Sequence, residues 1–258
     1  MTLRTRLSVV LLAALAACAP AFKPSRFSSN EKLFEASLER LKKKKWDDAA
    51  AGFEKLTLDL SSRDTLLPLA HLYLARTHTG RSEHLLAAQE YSKLAESFGD
   101  DSLADDALFE SGKSYSRLWV RPALDPQYGQ LAQVQYRLML TLYPDSPRKK
   151  DTEAELLRLE EWFATKDFET GDGYFRRKAY DSAIIYFRDI VKNFPNTDKA
   201  RLAMIRMVQA YRSPLMNYKE DAKEVCATLR SLYPTDKQVG VACQGVAAPA
   251  AEPAKPAP

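Results

Sequence analysis

Five stretches of the chain place apolar residues on one shared spacing. In the stretch from Tyr180 to Pro195, Ala183, Phe187, Ile190 and Phe194 fall at i, i+4, i+7 and i+11, one stripe of a 3.6-residue period. The same offsets recur at Ala49, Phe53, Leu56 and Leu60, and at Ala87, Tyr91, Leu94 and Phe98. They recur again at Ala132, Tyr136, Met139 and Tyr143, and at Ala222, Cys226, Leu229 and Tyr233. The five leading alanines stand 38, 45, 51 and 39 residues apart. Each stripe predicts an amphipathic helix, with Asp181 the expected N-cap of the fourth and Pro195 its stop. A small residue at the head of the stripe lets a paired helix approach, and the aromatic four residues on fills the gap between pairs. Such a helical hairpin cannot bury its apolar face alone, so neighbours must stack. The expected fold is all-α, a superhelical array of about five hairpins, with an irregular all-α domain as the alternative.

The rest of the chain fits around these stripes. First helices are expected from near Glu31, over Leu103 to Leu118, over Phe168 to Arg177 and over Lys199 to Arg212. The first two turns are expected around Lys45-Trp46-Asp47 and Thr79 to Ser82. Lys149 to Ala164 is strongly charged but carries Leu156, Leu159, Trp162 and Phe163 as a stripe, and Lys219 to Leu232 completes the last hairpin. Trp119 to Gln130 interrupts the pattern, because Pro122 and Pro126 forbid a continuous helix. It reads either as a connector or as a binding loop held on a rigid scaffold. Val246 to Pro258, rich in alanine and proline, is expected to be disordered.

The first residues follow other rules. Arg4 and Arg6 precede an apolar run from Leu7 to Leu15 that is too short to span a bilayer. The run ends in Leu15-Ala16-Ala17-Cys18, which matches the bacterial lipobox, so residues 1–17 are expected to leave as a signal peptide and Cys18 to carry the lipid. The other reading is a plain secretory signal cut near Ala17 or Ala19. By resemblance to Gram-negative lipoproteins, Ala19 rather than Asp after the cysteine implies the outer membrane, on its periplasmic face. Residues 18–30 then form a lipidated tether, 31–245 the array and 246–258 the tail.

Composition narrows the function. The chain of 258 residues has a formal net charge of +4, and loss of Arg4 and Arg6 leaves 36 Lys+Arg against 34 Asp+Glu, too even for a general nucleic-acid binder. Lys42 to Lys45 is a local basic run at the end of the first expected helix, where it complements the dipole and lies near the anchored end. No Gly-rich phosphate loop, Cys-x-x-Cys, His-Glu-x-x-His or nucleophile elbow is present, so no catalytic residue, cofactor or metal ligand is assigned. His71, His78 and His84 cluster around one hairpin and are expected at the surface. Cys226 stands in the aromatic slot of the last stripe and Cys243 follows seventeen residues later, so an exported chain could bridge them.

The small-x3-aromatic spacing with a terminal proline resembles the tetratricopeptide (TPR) repeat. Taken with the lipobox, Asp125-Pro126-Gln127 in the insertion, Tyr143-Pro144-x-Ser146, Arg177-x-x-Tyr180-x-x-Ala183, Phe194-Pro195-x-Thr197 and Ala210-Tyr211-Arg212, the chain resembles the BamD family. These are lipoprotein subunits of the outer-membrane β-barrel assembly (BAM) machinery. The resemblance runs from about Phe34 to Pro234, with Phe98-Gly99 departing from the usual aromatic–proline end. It implies a non-enzymatic scaffold that binds the barrel-shaped insertase (BamA-like) and other assembly lipoproteins, and receives signals of unfolded barrel proteins. It also implies a partner contact at Arg212. A TPR lipoprotein adaptor for peptidoglycan synthesis or the division machinery is the alternative.

Overall fold

The computed structural model describes residues 21–247, so Cys18, the signal peptide and nearly all of the alanine–proline tail lie outside the described residues. Among those residues the chain forms eleven α-helices and no strand. They are α1 (Asn30–Lys42), α2 (Trp46–Asp59), α3 (Leu66–Gly80), α4 (His84–Ser97), α5 (Ala104–Leu118), α6 (Gln127–Leu142), α7 (Lys149–Arg176), α8 (Tyr180–Asn193), α9 (Asp198–Tyr211), α10 (Lys219–Leu232) and α11 (Lys237–Ala242). Short turns, and in the third pair the insertion over 119–126, join α1 to α10 into successive TPR-like hairpins. The chain divides into two compact units, one ending at Ala107 and the other beginning at Leu108, a boundary inside α5.

The shared stripes are the cores of these units. All five leading alanines are buried, as are Phe53, Tyr91, Tyr136, Phe187 and Cys226 four residues on, and Leu56, Leu94, Met139, Ile190 and Leu229 at the third position. In the first unit Phe34, Phe53 and Tyr73 meet ring to ring at 5.7–5.8 Å. In the second, Ala183, Phe187 and Ile190 pack with Ala203, Met207 and Tyr211.

The first helix of each pair answers the stripe with a small residue. Sixteen positions before Phe53, Tyr91, Phe187 and Cys226 stand Ser37, Ala75, Gly171 and Ala210, and all four are buried. In the third pair the insertion lengthens the interval to 24 residues, from Gly112 to Tyr136. A Cβ on Gly112 would lie 2.4 Å from the Tyr136 ring, and one on Gly171 would lie 2.8 Å from that of Phe187. The helices therefore touch backbone to ring.

The turns share a second feature. Lys44, Ser82, Lys178 and Asn217 all take left-handed backbone angles, with φ of 54°, 62°, 62° and 51°, and each stands five residues before a leading alanine. The third hairpin lacks this residue because the insertion replaces its turn. Left-handed geometry costs an L-residue about 1–2 kcal/mol. Lys178→Gly is therefore expected to raise stability by up to about 1 kcal/mol, since glycine removes the strain at some cost in chain entropy. A lower denaturation midpoint for this variant would mean that the Lys178 side chain contributes more than its backbone strain costs.

Several expectations change. The segments 149–164 and 168–177 form one 28-residue helix, α7, because Thr165-Lys166-Asp167 contains no helix breaker. Asp181 is not the N-cap of α8. Ala179 holds that position, and Asp181 lies in the first turn, where its charge complements the helix dipole. Phe98, followed by Gly99, takes nearly the same cap conformation as Phe194, which is followed by a proline, so the proline is not needed to end the helix. Residues 22–27, read as part of a tether, pack on the first hairpin. Pro24–Arg26 forms a 3-10 turn, and the Phe22 and Phe27 rings join the core cluster there.

His71 and His78 are buried, not on the surface, with exposures of 3% and 6%. Nδ1 of His71 lies 2.7 Å from the Glu90 carboxylate, and Nδ1 of His78 lies 2.8 Å from that of Glu83. Burial pushes the Glu90 carboxyl up, but the hydrogen bond and charge of His71, with help from Lys93, outweigh it and hold Glu90 below its ordinary value. A carboxyl depressed in the folded state stabilises above its unfolded pKa, and that stability is lost as pH falls through the folded one. Glu90→Gln is thus expected to lower stability at neutral pH and to flatten the loss seen below about pH 4.5. Parallel pH curves for the two proteins would exclude the pair as the cause.

Candidate functional site

The candidate site lies on the last hairpin of the second unit, and its base is set by the residues that tie down the end of the chain. The 3-residue turn after α10 leads to Asp236, whose carboxylate caps α11 by accepting from the Gln238 and Val239 amides. Arg201 on α9 donates to the same carboxylate at 2.8 Å. Arg230 on α10 donates to the Cys243 carbonyl at 2.7 Å and to that of Val246 at 3.0 Å. Arg212 donates to the Ala242 carbonyl at 2.6 Å. The structure joins Cys226 and Cys243 in a disulfide with Cα atoms 5.6 Å apart, and Val239, Ala242 and both cysteines are buried against Met204, Ile205 and Val208. Arg212 and Arg230 thereby satisfy the Ala242 and Cys243 carbonyls at the C-terminal end of α11, which the helix itself leaves unpaired.

Beside this staple is an open cleft of about 310 Å³, lined by Tyr211, Arg212, Asn217, Lys219, Lys223 and Val246 among others. Asn217 turns the chain with its positive φ, and the Tyr218 amide donates to the Tyr211 carbonyl at 2.9 Å, which fixes where α10 begins. Tyr211 is buried, and its hydroxyl accepts from Arg188 at 2.8 Å. Burial pushes that phenol up, against the pull of Arg188. Three cations thus line the cleft. Lys223 is paired with Glu220 at 2.7 Å, and Arg212 keeps further N–H donors beyond the one given to Ala242. The arrangement suits a carboxylate presented by another molecule, held by charge and hydrogen bonds. Among the described residues no group of three or more His, Cys, Asp or Glu is placed to hold a metal, and no helix is long and apolar enough to cross a membrane.

The sequence-predicted residues are placed unevenly. Arg212 lines the cleft and also serves the fold, while Cys226 and Cys243 support the floor beneath it. Cys18 lies outside the described residues. Sequence reasoning missed Lys219 and Lys223, which look like ordinary charges on a helix face, and the Arg201 and Arg230 staples, whose acceptors lie 13 to 35 residues away with no periodic signal. The insertion is held firmly. Trp119 is buried against Phe163 with ring centres 4.6 Å apart, and Lys166 donates to the Leu124 carbonyl at 3.1 Å. Val120 and Leu124 remain exposed on it, ahead of exposed Leu131, Val134, Leu138 and Leu142 on α6.

Residues 27–229 match the family described as YfiO: Outer membrane lipoprotein. Over 88 residues the chain is 31% identical to the outer membrane protein assembly factor BamD of Vibrio cholerae, a match covering 34% of this chain and 36% of that protein. The chain therefore spans about a third of this relative's length in the match. Among solved structures it resembles the TPR domain of P58(IPK), at a TM-score of 0.44 and 14% identity over 81% of this chain and 53% of that one. It also resembles a tetratricopeptide repeat protein from Parabacteroides merdae, at a TM-score of 0.38 and 15% identity over 84% and 71%.

Proposed function

Because this chain belongs to the YfiO family of outer membrane lipoproteins, we propose that it is a non-catalytic scaffold of the machinery that assembles β-barrel proteins in that membrane. Cys18 carries the lipid anchor and holds the helical hairpins at the periplasmic face. The last hairpin docks a barrel-shaped insertase, BamA-like, through an acidic group of the partner that enters the cleft of Arg212, Lys219 and Lys223. Other assembly lipoproteins and the signals of unfolded barrel proteins engage the remaining hairpins. The work is done by binding energy: the scaffold positions its partners and transforms nothing.

The observation that carries this reading is the cleft itself. Three cations are presented on a floor fixed by a disulfide and three arginine staples, so little freedom is lost when a partner binds. The test is a mild-detergent pull-down of the tagged lipoprotein from its own cells, with mass spectrometry of what is recovered. A large outer-membrane barrel protein with periplasmic repeat domains is expected. Lys219→Glu with Lys223→Glu, which leaves the Arg212 to Ala242 bond intact, is expected to reduce that recovery at least about tenfold through like-charge repulsion. Recovery of wall-synthesis or division proteins in its place would move the scaffold to another machine, and unchanged recovery by the double variant would move the contact away from the cleft.

A further inference from the structure

The end of the first hairpin carries cations that the fold does not use. Lys42, Lys44 and Lys45 are exposed at the turn between α1 and α2, and they join none of the ion pairs found among the described residues. The carboxylates around them have other partners. Glu39 pairs with Lys43, Asp48 with Arg40 at 3.4 Å, and Asp47 with Arg81 at 3.5 Å, while Arg81 also meets Glu83 at 3.0 Å. Lys23 and Arg26, on the segment entering the hairpin, are exposed as well and join none of those ion pairs among the described residues. The turn is well formed, with the Lys44 amide donating to Leu41 and the Lys45 amide to Arg40, both at 2.9 Å. The lysines are therefore displayed by rigid backbone.

The entering chain sets where this turn must be. Phe22 packs beneath Arg40, whose guanidinium lies 5.2 Å from the ring centre, and beside Gly52, where a Cβ would lie 3.4 Å from the ring. Cys18 is four residues before Phe22, a span of at most about 14 Å. Arg40 is four residues before Lys44, about 6 Å along a helix. A lipid on Cys18 thus keeps the lysine turn within a few nanometres of the anchor, and the packing of Phe22 prevents the tether from lengthening.

We propose that Lys42, Lys44 and Lys45, with Lys23 and Arg26, form a membrane-contact patch that binds anionic phospholipid headgroups beside the anchor. The inference rests on the reading that Cys18 is lipidated. The acyl chains on Cys18 hold the protein at the bilayer, and a basic patch adds a short-range attraction to anionic headgroups that falls off within a Debye length. Each lysine near an anionic surface strengthens the contact about fivefold, so three give a factor of the order of a hundred. Contact at this end would orient the first hairpin against the bilayer instead of leaving it to pivot on the acyl chains.

The test uses the mature lipoprotein in nanodiscs of phosphatidylcholine alone or mixed with phosphatidylglycerol, and follows lysine acetylation by mass spectrometry. Lys42, Lys44 and Lys45 are expected to react at least about fivefold more slowly on the anionic bilayer. That protection should vanish in 0.5 M salt (roughly a 4 Å screening length). Lys55, toward the other end of α2 and paired with Asp59, should react alike on both bilayers. Equal reactivity of the three lysines on the two bilayers, or protection already present in detergent, overturns the patch. A Cys18→Ala chain that, with its leader removed, stays in the nanodisc of phosphatidylcholine alone overturns the anchor reading instead.

Discussion

Truncating Phe187 to alanine is expected to destabilise the second unit by about 3–5 kcal/mol, read as a shift in the chemical denaturation midpoint. The ring is fully buried, touches the Phe168 ring at 5.5 Å between centres, and faces Gly171 with no room for even a methyl group between them. Removing it leaves a void at the meeting of α7, α8 and α9 that helices already in contact cannot collapse to fill. Ile185, two residues earlier on the same helix, is 61% exposed, and its replacement by alanine should change stability by less than about 0.5 kcal/mol. Equal effects at the two positions would mean that the stripe is not what holds the unit together.

Removal of the Cys226–Cys243 bridge, by Cys226→Ala with Cys243→Ala, should cost about 3 kcal/mol. The bridge closes a 17-residue interval, and its main effect is to restrict the unfolded chain. The loss should also have a local signature. The carbonyls of Ala242, Cys243 and Val246 receive Arg212 and Arg230, so freeing residue 243 weakens all three hydrogen bonds together. Hydrogen exchange in α11 should accelerate far more than in α8. A uniform acceleration would place the effect wholly in the unfolded state, and an unchanged melting curve would show that the apolar contacts and the arginine hydrogen bonds hold α11 without the bridge.

These two predictions differ in how visible their causes are along the chain. Phe187 stands in a stripe whose offsets repeat five times, and a 3.6-residue period suffices to put Ala183, Phe187 and Ile190 on one buried face. The glycine that receives the ring is less visible, although the 16-residue interval to Ser37, Ala75, Gly171 and Ala210 is itself a repeat. The left-handed turn residues were hidden because Lys, Ser and Asn occupy them where glycine would have announced the geometry. His71 and His78 were misread for a similar reason. A histidine looks polar in a sequence, but Glu90 and Glu83 satisfy its ring nitrogen and let it be buried.

The sequence by itself determined the all-α hairpin array and the faces that form its cores, because helix periodicity and hairpin pairing are local rules written every few residues. It also carried the family resemblance, which depends on the order and spacing of short motifs. Only the tertiary structure decided how the end of the chain is tied down and which cations gather in a cleft. Arg201 finds Asp236 across 35 residues and Arg212 finds the Ala242 carbonyl across 30, contacts that arise only once α9, α10 and α11 have packed. The same holds for Phe22, whose seat on Arg40 and Gly52 turns a presumed tether into part of the first hairpin. Periodicity reports which side of a helix is buried. It does not report what is buried against it, and partner recognition depends on that second fact.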